Sequence, residues 1–223
     1  MRQRLTAEFL GTFALVFVGT GAIVVNDVTG AVTHVGISLT FGLVVLALIH
    51  SLGDVSGAHF NPAVTLAFAF ARRFSFRDAV PYIVVQCAGA ILASTCLRLM
   101  FPENERLGST IPRGSALQSF GLELLLSAFL MFVILNSTTG ANEKGLAVGI
   151  VVGSVIALEA LFAGPICGAS MNPARSLGPA IISGQWDSLW IYLLAPTFGM
   201  LLAVPACCCV QSSNCCTSEE TSP

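Results

Sequence analysis

The stretch "HFNPAV" covers residues 59–64 and "SMNPAR" covers residues 170–175, so the tripeptide Asn-Pro-Ala occurs twice, 111 positions apart. Asn is a strong N-cap residue, and Pro is favoured at the first position of a helix. The segments Asn61-Pro62-Ala63 and Asn172-Pro173-Ala174 therefore each predict the start of a helix. Both copies lie among apolar residues, an unusual setting for a strong helix start.

The composition places the chain in a membrane. Hydrophobic residues make up 55% of the 223 residues and charged residues only 10%, with a mean hydropathy of +0.83. A soluble domain carries about 25% charged residues, so this chain lacks the polar surface to cover a core in water. The formal net charge of −2 gives no sign of nucleic-acid binding.

Six stretches are long and apolar enough to cross the bilayer as helices, for which about 20 residues are needed. They are residues 5–25, 35–52, 79–100, 117–135, 145–162 and 189–209. The helices that begin at the two tripeptides are shorter. About ten residues follow each before Arg72-Arg73 or Ser183-Gly184, which corresponds to about 15 Å, half of the hydrocarbon core. These two half-helices must be re-entrant, with their starts near the membrane centre.

The chain repeats itself with opposite orientation. "AEFLGTFALVFVG" (residues 7–19) resembles "LELLLSAFLMFVI" (residues 122–134), and Glu8 and Glu123 precede their tripeptides by similar distances. Each half, 5–100 and 117–210, holds three spans, and an odd number makes the second half enter from the opposite face. The predicted fold is an all-α membrane protein with six transmembrane helices and two re-entrant half-helices in an inverted repeat, followed by a Cys/Ser-rich tail, 211–223.

The distribution of Lys and Arg predicts the orientation. One side of the membrane receives six of these residues and the other receives three, counting Arg175. By the positive-inside rule, both termini are expected in the cytoplasm of a multi-pass protein of the cell membrane.

Two half-helices that meet start to start favour a pore. Each start carries about half a positive charge and unpaired N–H groups, so the pair repels cations, including hydronium. Asn61 and Asn172 are expected to cap their helices through the side-chain oxygen and to present their NH2 groups to the lumen. Such a site conducts neutral hydrogen-bonding molecules and excludes protons.

The loops "SGAHFNPAVTLA" and "GASMNPARSLGPA" resemble the signature loops of the aquaporin (major intrinsic protein) family. The resemblance covers about residues 5–205 and implies one pore per subunit, a homotetramer and a narrow outer filter. By correspondence with the family pattern, the filter residues are Phe41, Ala160, Ala169 and Arg175. A lone Arg in an apolar re-entrant segment is rare and usually functional in its own right.

The residues that carry the family resemblance give conflicting indications about the conducted solute. Water-selective members carry His where this chain has Ala160, and the surrounding stretch looks more like the nodulin-like plant channels and related bacterial channels. That branch is associated with glycerol, urea and uncharged metalloid acids. Ser176, however, stands where dedicated glycerol facilitators carry Asp, and Phe41 narrows one side. The sequence thus favours a passive channel for water and small uncharged solutes, with a strictly water-selective channel as the alternative.

Other function classes are less favoured by the sequence. A proton-coupled carrier needs titratable groups along its path, and the midplane offers Asn rather than Asp. No cofactor or metal is expected, and no enzymatic activity, because His34, His50 and His59 make no ligand spacing with acids or cysteines.

Three further residues are expected to organise or line the pore. Glu8 and Glu123 are predicted to accept backbone N–H groups of the re-entrant loops, as the family resemblance implies. His59 is predicted to line the inner pore as a wall residue. Glu159, beside the filter, has no role that the sequence explains, and the cysteine-rich tail is compatible with palmitoylation, metalloid binding or a disordered end.

Overall fold

The computed structural model describes residues 1–138 and 146–211 of the chain, and these residues form helices joined by loops. The eight helices in the described part are α1 (Arg2–Thr29), α2 (Thr33–Ser56), α3 (Pro62–Phe70), α4 (Phe76–Met100), α5 (Ala116–Ser137), α6 (Leu146–Cys167), α7 (Pro173–Ser183) and α8 (Leu189–Val210). The predicted tail beyond Gln211 lies outside the described residues.

Six of these helices, α1, α2, α4, α5, α6 and α8, are long and apolar enough to cross a membrane. They confirm the predicted spans, but most of them extend beyond the predicted ends. Helix α1 begins at Arg2 rather than at residue 5, and α6 continues to Cys167 instead of stopping at residue 162. Hydropathy identifies only the apolar part of a helix, whereas the backbone hydrogen bonds of the helix continue into more polar residues at its ends.

The two remaining helices, α3 and α7, are the predicted half-helices, with 9 and 11 residues. At about 1.5 Å per residue, each is far too short to cross the hydrocarbon core. The side-chain oxygen of Asn61 accepts the backbone N–H of Ala63 at 2.9 Å. The oxygen of Asn172 accepts that of Ala174 at 3.0 Å. Both tripeptides therefore form the capped helix start that the sequence predicts.

The helices pack in a pattern that repeats between the two halves. Helix α1 packs on α2 and α4 in the first half, and α5 packs on α6 and α8 in the second. The half-helix of each half packs against the last helix of the other half, α3 on α8 and α7 on α4. The halves join directly through α2 and α6. This exchange of half-helices makes the two repeats one unit and brings α3 and α7 together.

Glycines allow the closest approach between the halves. A Cβ atom placed on Gly153 of α6 would lie 2.6 Å from the carbonyl oxygen of Gly42 on α2, and one on Gly149 would lie 3.1 Å from that of Leu46. Small residues permit such backbone contact between membrane helices. Gly149 and Gly153, one helical turn apart on α6, therefore both lie in the contact between α2 and α6.

We expect Gly153→Ala to lower the thermal midpoint of the detergent-solubilised protein, because the added methyl group forces the backbones of α2 and α6 apart. Gly121→Ala on α5 is the matched control, since a Cβ atom there meets nothing within 4 Å. Replacing a helical Gly by Ala without strain stabilises a helix by up to about 1 kcal/mol. Equal midpoints for the two variants would contradict the close packing of this seam.

Candidate functional site

The two asparagines of the tripeptides hold the half-helices end to end. The side-chain Nδ2 of Asn61 donates to the carbonyl oxygen of Met171 at 2.7 Å. The Nδ2 of Asn172 donates to the carbonyl oxygen of Phe60 at 2.9 Å. Each amide thus caps its own helix with its oxygen and ties the opposite loop with one of its two N–H hydrogens. One N–H hydrogen of each asparagine remains available to the space that both residues line.

The loops before the two half-helices adopt the same unusual backbone. Left-handed φ angles occur at matching distances from the two asparagines, at Gly57, Ala58 and Phe60 (85°, 51° and 48°) and at Gly168, Ala169 and Met171 (87°, 40° and 52°). Non-glycine residues occupy this region rarely and at a cost, unless the surrounding structure holds them there. The repetition in both loops indicates that the fold imposes this conformation.

Two fully buried carboxylates hold the loops in place. Glu8 of α1 accepts the backbone N–H groups of His59 at 3.0 Å and Phe60 at 2.7 Å. Glu123 of α5 accepts those of Ser170 at 2.7 Å and Met171 at 2.8 Å. These are the contacts expected from the sequence. A buried loop must find partners for its N–H groups, and one glutamate in each half supplies them.

Two tyrosine hydrogen bonds also hold the loops, and the sequence analysis did not predict them. The chain has two tyrosines, and the hydroxyl group of Tyr82 donates to the carbonyl oxygen of Ser56 at 2.9 Å. The hydroxyl group of Tyr192 donates to that of Cys167 at 2.7 Å. Each tyrosine therefore fixes the point where a long helix ends and its re-entrant loop begins. Their 110-residue separation, close to the repeat distance of the asparagines, was the available signal.

A single cavity joins most of the predicted site residues. Phe41, Ala160, Ala169 and Arg175 line it together with His59, Asn61 and Asn172. Pro62, Ala63, Pro173 and Ala174 are buried within the two half-helices and do not line it. Glu8 and Glu123 also lie outside the lining, behind the loops that they hold. The structure therefore separates residues that face the cavity from residues that shape it.

Arg175 is the one charged side chain among the predicted filter residues, and it is only 2% exposed. Its Nη1 donates to the carbonyl oxygen of Gly108 at 2.8 Å, and its Cζ lies 5.2 Å from the centroid of the Phe41 ring. The carbonyl and the ring face hold the guanidinium group in position. Its Nε has no acceptor among the described residues, so this planar cation keeps donor capacity for a molecule in the cavity.

His59 lines the cavity below the asparagines. Its Nδ1 lies 3.1 Å from the hydroxyl oxygen of Thr65, and its ring stacks on Phe68 with centroids 4.8 Å apart. The edge-to-face contact with Phe74 adds a further aromatic neighbour at 4.9 Å. This packing fits the predicted wall residue, because an imidazole held on several sides has little freedom to move.

The cavity has a polar side and an apolar side. Within the described residues, no donor reaches the carbonyl oxygens of Ala58, His59, Ala169 or Ser170 in the two loops. Buried carbonyl groups without a protein partner require water or another donor. The remaining walls are apolar, and they include Leu15, Val45, Ile49, Leu130, Val152 and Ile156. A passage of this kind suits small neutral molecules that carry hydrogen-bond donors.

The family model described as "Major intrinsic protein" matches residues 1–206. The chain belongs to the major intrinsic protein family. This confirms the resemblance found in the two Asn-Pro-Ala loops. Members of the family are passive channels, so the protein is a membrane channel for water and small solutes and not an enzyme.

Sequence relatives and a solved structure agree with this membership. The chain is 44% identical to Aquaporin NIP1-1 of Oryza sativa subsp. japonica over 214 residues, which cover 95% of this chain and 75% of that protein. It is 46% identical to Nodulin-26 of Glycine max over 201 residues, covering 89% and 74%. The aquaglyceroporin from Plasmodium falciparum has a similar structure, with a TM-score of 0.84, 27% identity, and coverage of 90% and 93%.

Glu159 contrasts with the two anchoring glutamates of this family fold. It precedes Ala160 on α6 and is 1% exposed, yet neither carboxylate oxygen accepts a hydrogen bond from the described residues. It therefore holds no loop, and the structure explains its place no better than the sequence does.

We expect Glu123→Gln to lower the thermal midpoint and the water flux. The amide keeps one acceptor oxygen but turns an NH2 group toward a loop N–H, and each orphaned buried donor costs about 1–3 kcal/mol. Thermal denaturation and proteoliposome swelling measure the two effects.

Glu159→Gln is the matched control, since this neighbouring buried glutamate has no bound donor to lose. It should keep both the midpoint and the flux of the unmodified protein. A Glu123→Gln variant as stable as Glu159→Gln would refute the anchoring role of Glu123.

Proposed function

We propose that this channel conducts water together with small neutral solutes such as glycerol, urea or uncharged metalloid acids (arsenous, boric or silicic acid). Phe41, Ala160, Ala169 and Arg175 act as its selectivity filter, and Asn61 and Asn172 act as its central hydrogen-bonding site. The proposal rests above all on Ala160, a methyl side chain on the cavity wall that faces the same passage as Arg175.

The chemistry of the filter suits an amphipathic solute. Arg175 donates to hydroxyl oxygens on one side, and the ring of Phe41 offers an apolar surface to a carbon skeleton. Ala160 and Ala169 leave open the space that a larger side chain would occupy. The loop carbonyl oxygens of Ala169 and Ser170 can accept hydrogen bonds from the solute as it moves inward.

The strictly water-selective alternative rests on one contact. The Phe41 ring lies against the guanidinium group of Arg175, at 5.2 Å between Cζ and the ring centroid. A filter narrowed by this pair would pass water and exclude larger molecules.

A proton-coupled carrier is less well supported than a channel. The titratable side chains that line the cavity within the described residues are His59 and Arg175, with no carboxylate among them. Proton exclusion instead follows from the two half-helix starts and the remaining N–H of each asparagine, which orient a passing water by its oxygen.

Assembly and orientation complete the proposal. We expect a homotetramer in the cell membrane, with both termini in the cytoplasm. Arg98 near the end of α4 adds a fourth cation on the opposite side, so the bias becomes six against four and still favours this orientation.

The test is stopped-flow light scattering on proteoliposomes exposed in turn to gradients of water, glycerol, urea and arsenous acid. We expect fast water flux and at least one solute flux above that of empty liposomes. Water flux without any solute flux would leave the water-selective channel in place. Proton current under a pH gradient would support the carrier.

Ala160→His should reduce solute flux more than water flux. The imidazole fills the open side of the filter, and a water is small enough to pass and can use the ring as a hydrogen-bond partner. The measured quantity is the ratio of glycerol to water permeability in the same vesicles. Val45→Ala, on α2 in the lining of the same cavity, serves as the control for general effects of substitution. An unchanged ratio in Ala160→His would remove Ala160 from the filter.

A further inference from the structure

The outer filter has a counterpart in the other half of the cavity. Each filter residue corresponds to a residue at the same distance from the asparagine of the opposite repeat. The four pairs are Phe41 with Val152, Ala160 with Ile49, Ala169 with Ala58, and Arg175 with Val64. Ala58 and Ala169 even share the left-handed backbone, with φ of 51° and 40°.

All four counterparts line the same cavity as the filter. Gly42 of α2 and Gly153 of α6 are in contact and are themselves a corresponding pair, so the pseudo-twofold axis passes between them. Ile49 lies seven residues beyond Gly42, about 10 Å further along α2. Ala160 lies the same distance beyond Gly153 in the opposite direction. Ile49 and Ala160 therefore lie on opposite sides of the asparagine pair.

Phe41 and its counterpart Val152 also point to opposite ends of the cavity. Side chains on a helix lean toward its N-terminus, so Phe41 leans toward the outer end of the cavity and Val152 toward the inner end. Phe41 packs where Gly19 of α1 leaves room for its ring. The residue that corresponds to Gly19 in α5 is Ile134, which lines the cavity. On the outer side, the ring of Phe41 on α2 supplies the bulk alone. On the inner side, Val152 of α6 and Ile134 of α5 supply it together.

We infer that Ile49, Ala58, Val64 and Val152 form a second constriction, the inner ring, that limits the size of the solutes this channel conducts. This inference rests on the proposed function, since it concerns the passage of solutes other than water.

The inner ring differs from the outer filter in its chemistry. It has no cation, because Val64 stands where the outer filter has Arg175, and its side chains are all aliphatic. Apolar constrictions control permeation through size and the cost of desolvation. The polar groups on this side of the cavity are the imidazole of His59 and the carbonyl oxygens of Ala58 and His59, and no described residue donates to those two oxygens. A solute must therefore cross it with hydrogen bonds on one side only.

The two rings also differ in where they are narrow. The outer filter is open at Ala160, whereas the inner ring has the branched Ile49 at that place. A solute that passes beside Ala160 meets a larger side chain about 20 Å further in, so the widest point of the outer filter does not set the size limit alone.

The experiment compares Ile49→Ala with Val45→Ala in proteoliposomes, using erythritol, glycerol and water as probes. Both substitutions shorten a side chain on the same wall of α2, one turn apart, but Val45 belongs to neither ring. We expect Ile49→Ala to raise the ratio of erythritol to glycerol permeability about tenfold, the effect of removing ~1.4 kcal/mol from a barrier. Val45→Ala should leave the ratio unchanged. Val152→Phe should lower it, because it copies the bulk of Phe41 into the inner ring.

Water permeability and gel filtration establish that each variant is assembled, since all of them must keep water flux. An equal rise in Ile49→Ala and Val45→Ala, or no change in either, overturns the inner ring. If the unmodified protein conducts no solute, the proposed solute function fails while the inner ring is still tested. In that case, Ile49→Ala must admit glycerol where Val45→Ala does not, and the absence of glycerol flux in both overturns it.

Discussion

The structure depends on the reciprocal hydrogen bonds by which the amides of Asn61 and Asn172 reach the carbonyl oxygens of Met171 and Phe60. A helix start inside a membrane exposes N–H groups and partial positive charge that lipid cannot satisfy. Each asparagine caps its own helix and at the same time binds the opposite loop. The two unfavourable helix ends therefore complete each other, and neither half is satisfied without the other.

The other polar contacts of the interior support this one. Glu8 and Glu123 bind the loop N–H groups, and Tyr82 and Tyr192 bind the carbonyl oxygens where the loops begin. These contacts use the loop N–H groups and the carbonyl oxygens at the loop ends. The carbonyl oxygens between them therefore remain as hydrogen-bond acceptors along the cavity. The row of acceptors along the passage is thus a consequence of how the loops are held, and Arg175 adds a donor at one end.

The inverted repeat supplies two equivalent ends, and side-chain differences make them unequal. Arg175 brings a cation and Phe41 a ring to one end, while Val64 and Val152 leave the other end aliphatic. In the proposed function, this symmetric scaffold combines exclusion of ions at one level with a size limit on solutes at another. The central asparagine pair is shared by both, because it lies on the axis that relates the two ends.

The sequence by itself determined the class of protein, the six spans, the two helix starts and the residues of the family motif, because hydropathy, capping chemistry and motif spacing are local properties. The family resemblance read from the sequence also implied that Glu8 and Glu123 hold the loops. Only the tertiary structure decided that each asparagine binds the opposite loop, that Tyr82 and Tyr192 close the loop ends, and that the prolines and alanines of the motif lie away from the cavity. The asparagine contacts join residues 110 and 112 positions apart, and the tyrosine contacts join residues 26 and 25 positions apart. Such distances are set only after the helices have packed, with the two halves in contact through the glycines of α2 and α6.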